Sequence, residues 1–257
     1  MVGDFGFDIA WFLTVLTAGC ALLWLCGTIY RRLGGRSSLV RSLTGAAREI
    51  FPPLLLVWAL RSFVIQPYRV PSGSLMPTIY PGDFIAVQQY AYGVRWPLNG
   101  RVIWSIGQPK RGDLALFHCP VDLKKIYIKR VVGLPGDHIV YRDRQLYING
   151  HKVERQWLAQ EQDISTPWHN LVERYQEQLG GLAHDVYLSE IDCGLISDVV
   201  VPVGHYFMLG DNRDNSLDSR VWGLVPERLL IGKAFAVWMS WDNEGGGIRW
   251  HRIGFLR

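Results

Sequence analysis

The chain has 257 residues, room for one large domain or two ordinary ones. Hydrophobic residues make up 49% and charged residues 19%, which excludes a disordered chain and a short disulfide scaffold. With 27 Lys and Arg against 23 Asp and Glu, the formal charge of +4 is too small and too scattered for a nucleic-acid binder.

The charge is unevenly placed. Residues 1–68 carry six arginines (31, 32, 36, 41, 48, 61), no lysine and three acids (Asp4, Asp8, Glu49), whereas the remainder is balanced. From Ile9 to Tyr30 the chain runs 22 residues without a charge, enough to cross a hydrocarbon core of ~30 Å at ~1.5 Å per residue. A cleavable signal peptide would have basic residues before that run and a small-residue site after it. Here Asp4 and Asp8 precede it and Arg31-Arg32 follow. A second apolar run, Ile50 to Leu60, continues past Arg61 to Ile65, and Pro52-Pro53 suit a helix's first turn. Its length fits a buried helix about as well as a span; the reading taken is a second membrane helix over 50–66. The arginine-rich segment 31–49 then lies in the cytoplasm, with the N-terminus and everything after about residue 67 on the other side.

Beyond Tyr68 the pattern changes to short runs of β-branched and aromatic residues punctuated by Gly-Asp and Asn-Gly turns. Strands are predicted over 83–92, 113–119, 125–132 and 199–209, with a last pair over 233–241 and 248–255. Asn149-Gly150 marks a hairpin turn. The stretch 156–197 is more polar, with a short helix expected over 169–181 ended by Gly180-Gly181. It reads as part of a smaller subdomain, about 142–198, inserted into a mainly β domain of residues 67–257. Cys119 and Cys193 fall in this part and could form one disulfide, a pairing the sequence does not decide.

Motifs for zincins, zinc ribbons, α/β-hydrolases, penicillin-binding proteins and P-loops are absent, and the seven histidines are dispersed, so neither a metal nor an organic cofactor is implied. Three segments combine polar density with apolar strands: 71–78 (PSGSLMPT), 127–133 (YIKRVVG) and 210–220 (GDNRDNSLDSR). Taken singly they are a Pro/Ser/Gly turn, an edge-strand lysine and a charged surface loop. Together they suggest a serine, a lysine and a polar scaffold.

These segments, with 66–87 (QPYRVPSGSLMPTIYPGDFIAV), 109–117 (PKRGDLALF), 127–137 (YIKRVVGLPGD), 210–227 and 232–242 in the same order, resemble the signature boxes of bacterial type I signal peptidases. That family consists of membrane-bound Ser/Lys endopeptidases that remove signal peptides from exported preproteins. The resemblance implies a signal-peptidase/repressor-cleavage-type β fold behind two transmembrane helices. It also implies a place in the bacterial inner membrane with the catalytic domain on the periplasmic side, and exported preproteins, membrane phospholipids and the export machinery as partners.

By the same resemblance Ser74 is the nucleophile and Lys129 its general base, through an acyl-enzyme, at a small-x-small site such as Ala-x-Ala. Near pH 7.4 an unperturbed lysine, of pKa ~10.4, is neutral only about 0.1% of the time, so Lys129 has to be buried. Ser216 matches the hydroxyl that orients the lysine, and the Ser72 hydroxyl with the Ser74 N–H matches the oxyanion hole. Asp218 with Arg220, and Asp211 with Arg130, are expected as structural ion pairs. Tyr68, Val70, Pro71, Leu75, Tyr127 and Ile128 are the expected lining of the substrate pocket. Leu75 departs from the family's usual Met after the nucleophile, a volume-conserving change that bears on selectivity more than on activity. Eight tryptophans (96, 104, 157, 168, 222, 238, 241, 250) lie in this part, with a packed core or a membrane interface as their two destinations. A peptidase of the same clan dedicated to one substrate, and a catalytically silent membrane-anchored β module, are the alternatives. The joint presence of Ser72, Ser74, Lys129 and Ser216 disfavours the second.

Overall fold

The computed structural model describes residues 6–95, 102–165, 170–190, 193–242 and 245–256, with backbone only for 6–10 and 94–95. Two of the eight tryptophans, Trp96 and Trp168, lie outside the described residues.

Helix α1 spans Gly6–Arg32 and helix α2 Ser38–Ala59, the latter continued by a π-turn over Leu60–Val64. Both are long and apolar enough to cross a membrane, over Trp11–Arg32 and Ser38–Val64. Polar groups inside them are satisfied locally: the Thr17 and Thr28 hydroxyls return to the carbonyls of Leu13 and Trp24 at 2.6 and 2.7 Å. The second helix starts twelve residues earlier than its apolar run, capped by Ser37, whose side chain accepts from Val40 N–H. Segment 31–49 is therefore mostly helical, and Pro52 and Pro53 sit in the helix interior. The reason is packing against α1. Thr44 fills the space above Gly27, where a Cβ would come within 1.9 Å of its Oγ1. Trp24 meets Phe51 at 5.6 Å, and Trp58 Nε1 donates to Thr14 Oγ1 at 2.9 Å. These pairs run in opposite directions along the two helices, making an antiparallel hairpin.

No linker separates the hairpin from the β domain, because strand β1, Ile65–Arg69, follows Val64 directly. The longer strands of the nine-stranded main sheet are β1, β2 (Asp83–Gln88), β3 (Leu114–Cys119), β4 (Asp122–Gly133), β11 (His205–Leu209) and β12 (Leu230–Asp242). Their antiparallel order is β1-β2-β12-β3-β4-β11. Between β4 and β11 lie β5 (His138–Arg142), β6 (Gln145–Ile148), β7 (Arg155–Gln162), β8 (Leu171–Leu179), β9 (Leu182–Ser189) and β10 (Ser197–Val200). Strands β10-β5-β6 form one small sheet and β7-β8-β9 another.

Strand periodicity sorts the core. On β3, Leu114 and Leu116 join one apolar cluster while Ala115 and Phe117 join the cluster on the other face. On β4, Ile126 and Ile128 point to the first cluster, and Val131, with Tyr127 packed alongside, to the second. Lys129 has the parity of Tyr127 and Val131 and stands opposite Ala115, whose small side chain leaves room for it. A third cluster joins Ile139, Tyr141 and Leu146 to Phe207, Leu209 and Leu179, tying the intervening sheets to β11.

The strands expected over 113–119, 125–132 and 233–241 are present. The one over 83–92 stops at Gln88, where a 3-10 turn over Gln89–Tyr92 begins, and the one over 248–255 is reduced to Gly247–Ile248 and Gly254–Phe255 on either side of a 3-10 turn over Trp250–Arg252. Residues 199–209 form two strands broken at Pro202-Val203-Gly204, not one. Residues 171–179 are strand β8 rather than the expected helix. Gly180 and Gly181 have φ of 59° and 88° and join Leu179 to Leu182, so the pair makes a two-residue hairpin turn, not a helix cap. Asn149 and Gly150 make the same kind of turn, as expected. Cys119 is buried and Cys193 exposed, and the two are not joined by a disulfide.

Candidate active site

Ser74 lies in the connection from β1 to β2. Leu75, Met76 and Ile79 plug this connection into the protein interior. Met76 N–H donates to the Gly73 carbonyl at 3.0 Å and Ile79 N–H to the Leu75 carbonyl at 2.9 Å, so the chain coils tightly around the serine. Lys129 Nζ reaches Ser74 Oγ at 2.6 Å. The lysine is 1% exposed. Burial pushes its pKa down from 10.5 to about 8, aided by the Arg220 charge and opposed by the carboxylates of Asp218 and Asp211.

The loop 210–220 packs around this pair. Asp218 accepts from Arg220 at 2.8 Å through both carboxylate oxygens, caps the short helix Ser219–Trp222, and takes the Gly210 N–H at 3.0 Å. Asp211 accepts from Arg130 Nε and Nη2 at 2.8 and 2.6 Å, and Thr78 donates to it at 2.5 Å. Both pairs are buried and two-pronged, the geometry in which an ion pair specifies position. The expected partners Asp218–Arg220 and Asp211–Arg130 are thus brought together. Burial raises the Asp218 and Asp211 carboxyls, but the facing arginines outweigh it and hold both below the usual range.

A cavity of about 470 Å³ opens on the dyad, lined by Ser72, Ser74, Tyr127, Lys129 and Ser216 together with Cys193, Leu195, Leu217 and Val221. Ser216 is there, but its Oγ makes no hydrogen bond, so the expected contact to Lys129 is not formed. Of the six expected lining residues, Tyr127 borders this cavity. Tyr68, Val70, Leu75 and Ile128 belong to the first core cluster, and Pro71 is exposed. Ile128 is kept from the cavity by the same alternation that places Lys129, pointing to the face opposite its neighbour Tyr127.

Several residues at the site carried no signal in the sequence. Glu177 and His184 face each other across β8 and β9 and are buried. Glu177 accepts from Arg213 Nη1 and Nη2 at 2.9 and 2.5 Å, anchoring the loop from the inserted sheet. Asp163 reaches Asn212 from the end of β7. An inward-pointing Glu in a polar hairpin looks, in the sequence, like any solvent-facing residue. Among the described residues no group of His, Cys, Asp and Glu could hold a metal ion.

Residues 43–241 match the family model described as signal peptidase, peptidase S26. A signal peptidase I of Pseudomonas fluorescens is 44% identical over 209 residues, covering 76% of this chain and 72% of its own. The chain belongs to the signal peptidase family. Another member, from Buchnera aphidicola of the pea aphid Acyrthosiphon pisum, is 35% identical over 251 residues, covering 81% and 80%. A signal peptidase I crystal structure from Enterococcus faecalis is 31% identical, covers 50% of this chain and 98% of its own, and superposes with a TM-score of 0.31. Membership makes the protein a serine endopeptidase acting on preproteins that carry signal peptides. The two apolar helices fit the family's membrane anchoring.

Proposed function

We propose that the protein cleaves signal peptides by a Ser74–Lys129 dyad through an acyl-enzyme. The observation that carries this reading is the 2.6 Å contact between Ser74 Oγ and a fully buried lysine whose pKa is about 8. At that value roughly a fifth of the lysine is neutral near pH 7.4, some two hundred times more than for an exposed one. The neutral amine takes the Ser74 hydroxyl proton as Oγ attacks the scissile carbonyl carbon. Lys129 then returns the proton to the departing amine of the mature chain. A water deprotonated by the same amine releases the signal peptide from the ester.

The oxyanion forms against the Ser74 N–H and the Ser72 hydroxyl. Ser216 borders the same cavity with an unpartnered hydroxyl and is available to orient the amine once substrate binds. Tyr127 contributes to the wall of the substrate site, and Leu195, Leu217 and Val221 line the same cavity, giving an apolar site for the small side chains of a small-x-small sequence.

The active site works close to the membrane. Ser74 is nine residues past Ile65, where the helix hairpin ends, so an extended chain would keep it within about 30 Å of that point. Five of the six described tryptophans of the β domain, at 104, 157, 238, 241 and 250, are exposed and so stand outside its core. Exposed aromatic rings suit a lipid interface and phospholipid contact. Arg31, Arg32 and Arg36 cluster at the turn of the hairpin, which favours that end in the cytoplasm and the β domain on the periplasmic side of the inner membrane, where export machinery delivers preproteins.

The test is cleavage of a preprotein by the full chain in detergent micelles, compared with Ser74→Ala and Lys129→Ala at matched folding. Both variants should lose cleavage by 10³-fold or more, and undiminished turnover in either would refute the dyad. Protection of the β domain from protease added outside intact spheroplasts would refute the orientation.

A further inference from the structure

Where β7 ends, the inserted sheet touches the nucleophile's own backbone. Asp163 is 2% exposed. Its Oδ1 accepts from Ser165 N–H at 2.8 Å and from the Ser165 hydroxyl at 2.5 Å. Its Oδ2 accepts from Asn212 Nδ2 at 2.8 Å and from Asn215 Nδ2 at 3.3 Å. The same Asn212 Nδ2 donates to the Gly73 carbonyl at 3.2 Å, as a second donor beside the Met76 N–H at 3.0 Å, and the Asn212 backbone N–H donates to the Ser74 carbonyl at 3.2 Å. Gly73 admits this approach because it has no side chain: a Cβ there would lie 2.0 Å from Ser165 Cβ.

The Gly73 carbonyl and the Ser74 N–H belong to one peptide unit. In a trans peptide the two bonds are coplanar and point in opposite directions, so whatever fixes the carbonyl also fixes the N–H. We infer that Asp163 is a positioning residue for the oxyanion site, holding the Asn212 carboxamide against Gly73 and thereby aiming the Ser74 N–H. This rests on the reading of that N–H as an oxyanion donor. The carboxylate enforces the orientation of Asn212, because a flipped carboxamide would turn Oδ1 onto the carboxylate and the Gly73 carbonyl, acceptor against acceptor. Removing the carboxylate leaves a buried N–H without its acceptor and frees the carboxamide to rotate. The inserted sheet is then part of the catalytic apparatus, acting through Asn212 without touching substrate.

The experiment uses the full chain in detergent micelles with Asp163→Ala, Asn212→Ala, the double variant, and Ser72→Ala as reference, each shown to be folded at the assay temperature. Two ligands are compared: a peptide aldehyde ending at the cleavage residue, whose hemiacetal with Ser74 places an oxygen in the oxyanion site, and an uncleavable peptide of the same sequence. Asp163→Ala should lower kcat and aldehyde affinity about 10-fold together. KM, uncleavable-peptide affinity and the midpoint of the pH profile should stay put. The double variant should be no slower than Asn212→Ala alone. If Asp163→Ala unfolds, Asp163→Asn, whose amide oxygen can still accept from Asn212, takes its place, with a smaller loss of the same pattern. Wild-type kcat and aldehyde affinity in the folded Asp163 variant, or multiplying effects in the double, would overturn the positioning role. Ser72→Ala leaving aldehyde affinity unchanged would instead overturn the oxyanion reading beneath it.

Discussion

Lys129 Nζ and Ser74 Oγ are 2.6 Å apart although they come from positions 55 residues apart in the chain, and the lysine is buried. The strand parity that removes Ile128 to the other face leaves Lys129 between Tyr127 and Val131, where the amine loses hydration but keeps a hydroxyl partner. Burial therefore sets the pH dependence of the dyad. With the neutral amine as the proposed base, activity should rise with pH along a limb centred near the Lys129 value of about 8. A single-turnover pH profile tests this, and maximal cleavage below pH 5 would contradict it.

That burial also costs stability. Lys129 has a folded pKa of about 8 against an ordinary 10.5. Between those values the unfolded chain holds the proton that the native chain has released, so stability rises with pH across that window. Below pH 8 the protonated amine carries the whole penalty, on the order of 3 kcal/mol. Lys129→Met, close in shape and uncharged, should abolish cleavage while raising the unfolding midpoint at pH 7, with the gain shrinking towards pH 10.5. A lower midpoint in the Met variant at pH 7 would show that the lysine is stabilising.

Glu177 forks onto Arg213, and both are buried. Burial raises the Glu177 carboxyl, but the Arg213 charge outweighs it and holds the group below the usual range. Glu177→Ala leaves a buried guanidinium without its counter-charge, which should cost about 3–5 kcal/mol. Thermal unfolding in micelles measures the loss. An unchanged midpoint would mean that Arg213 finds another partner.

Gly210 occupies a space no side chain can share. A Cβ there would lie 2.2 Å from Ser216 Oγ and 2.5 Å from the Ser74 carbonyl oxygen. Gly210→Ala should therefore push apart the two segments that form the site, lowering kcat by about 10²-fold with a smaller loss of stability. Full activity in this variant would show that the β1–β2 connection is free to move.

Buried His184 adds an acid limit. Burial, with the Arg130 charge, pushes its pKa from 6.5 down to about 4, while Asp211 and Glu177 pull the other way. As pH falls from 6.5 to 4 the unfolded state takes up the proton first, so stability should decline across that window. His184→Gln should flatten the decline in a series of unfolding midpoints, and an unaltered slope would assign it to another group.

Much of the protein was legible in the chain because its signals are local. The uncharged run Ile9–Tyr30, the Asn149-Gly150 turn and the alternation along 113–119 and 125–132 each specify their element through neighbours a few residues away. The Pro/Ser/Gly, YIKRVVG and GDNRDNSLDSR segments pointed to Ser74, Lys129 and the two arginine–aspartate pairs through their resemblance to a family. What needed the folded structure was whatever depends on two distant segments meeting. The first turns of helix α2, ahead of the apolar run, pack Thr44 onto Gly27, a contact no apolar run announces. Gly180-Gly181 reads equally as a helix end or a hairpin turn, and the pairing of β8 with β9 decided it. The sequence determined by itself which residues could do the chemistry. The tertiary structure decided how they are held, because the Asp163–Asn212 and Glu177–Arg213 links join charges to partners more than thirty residues away, and their energy exists only once water has been excluded from both.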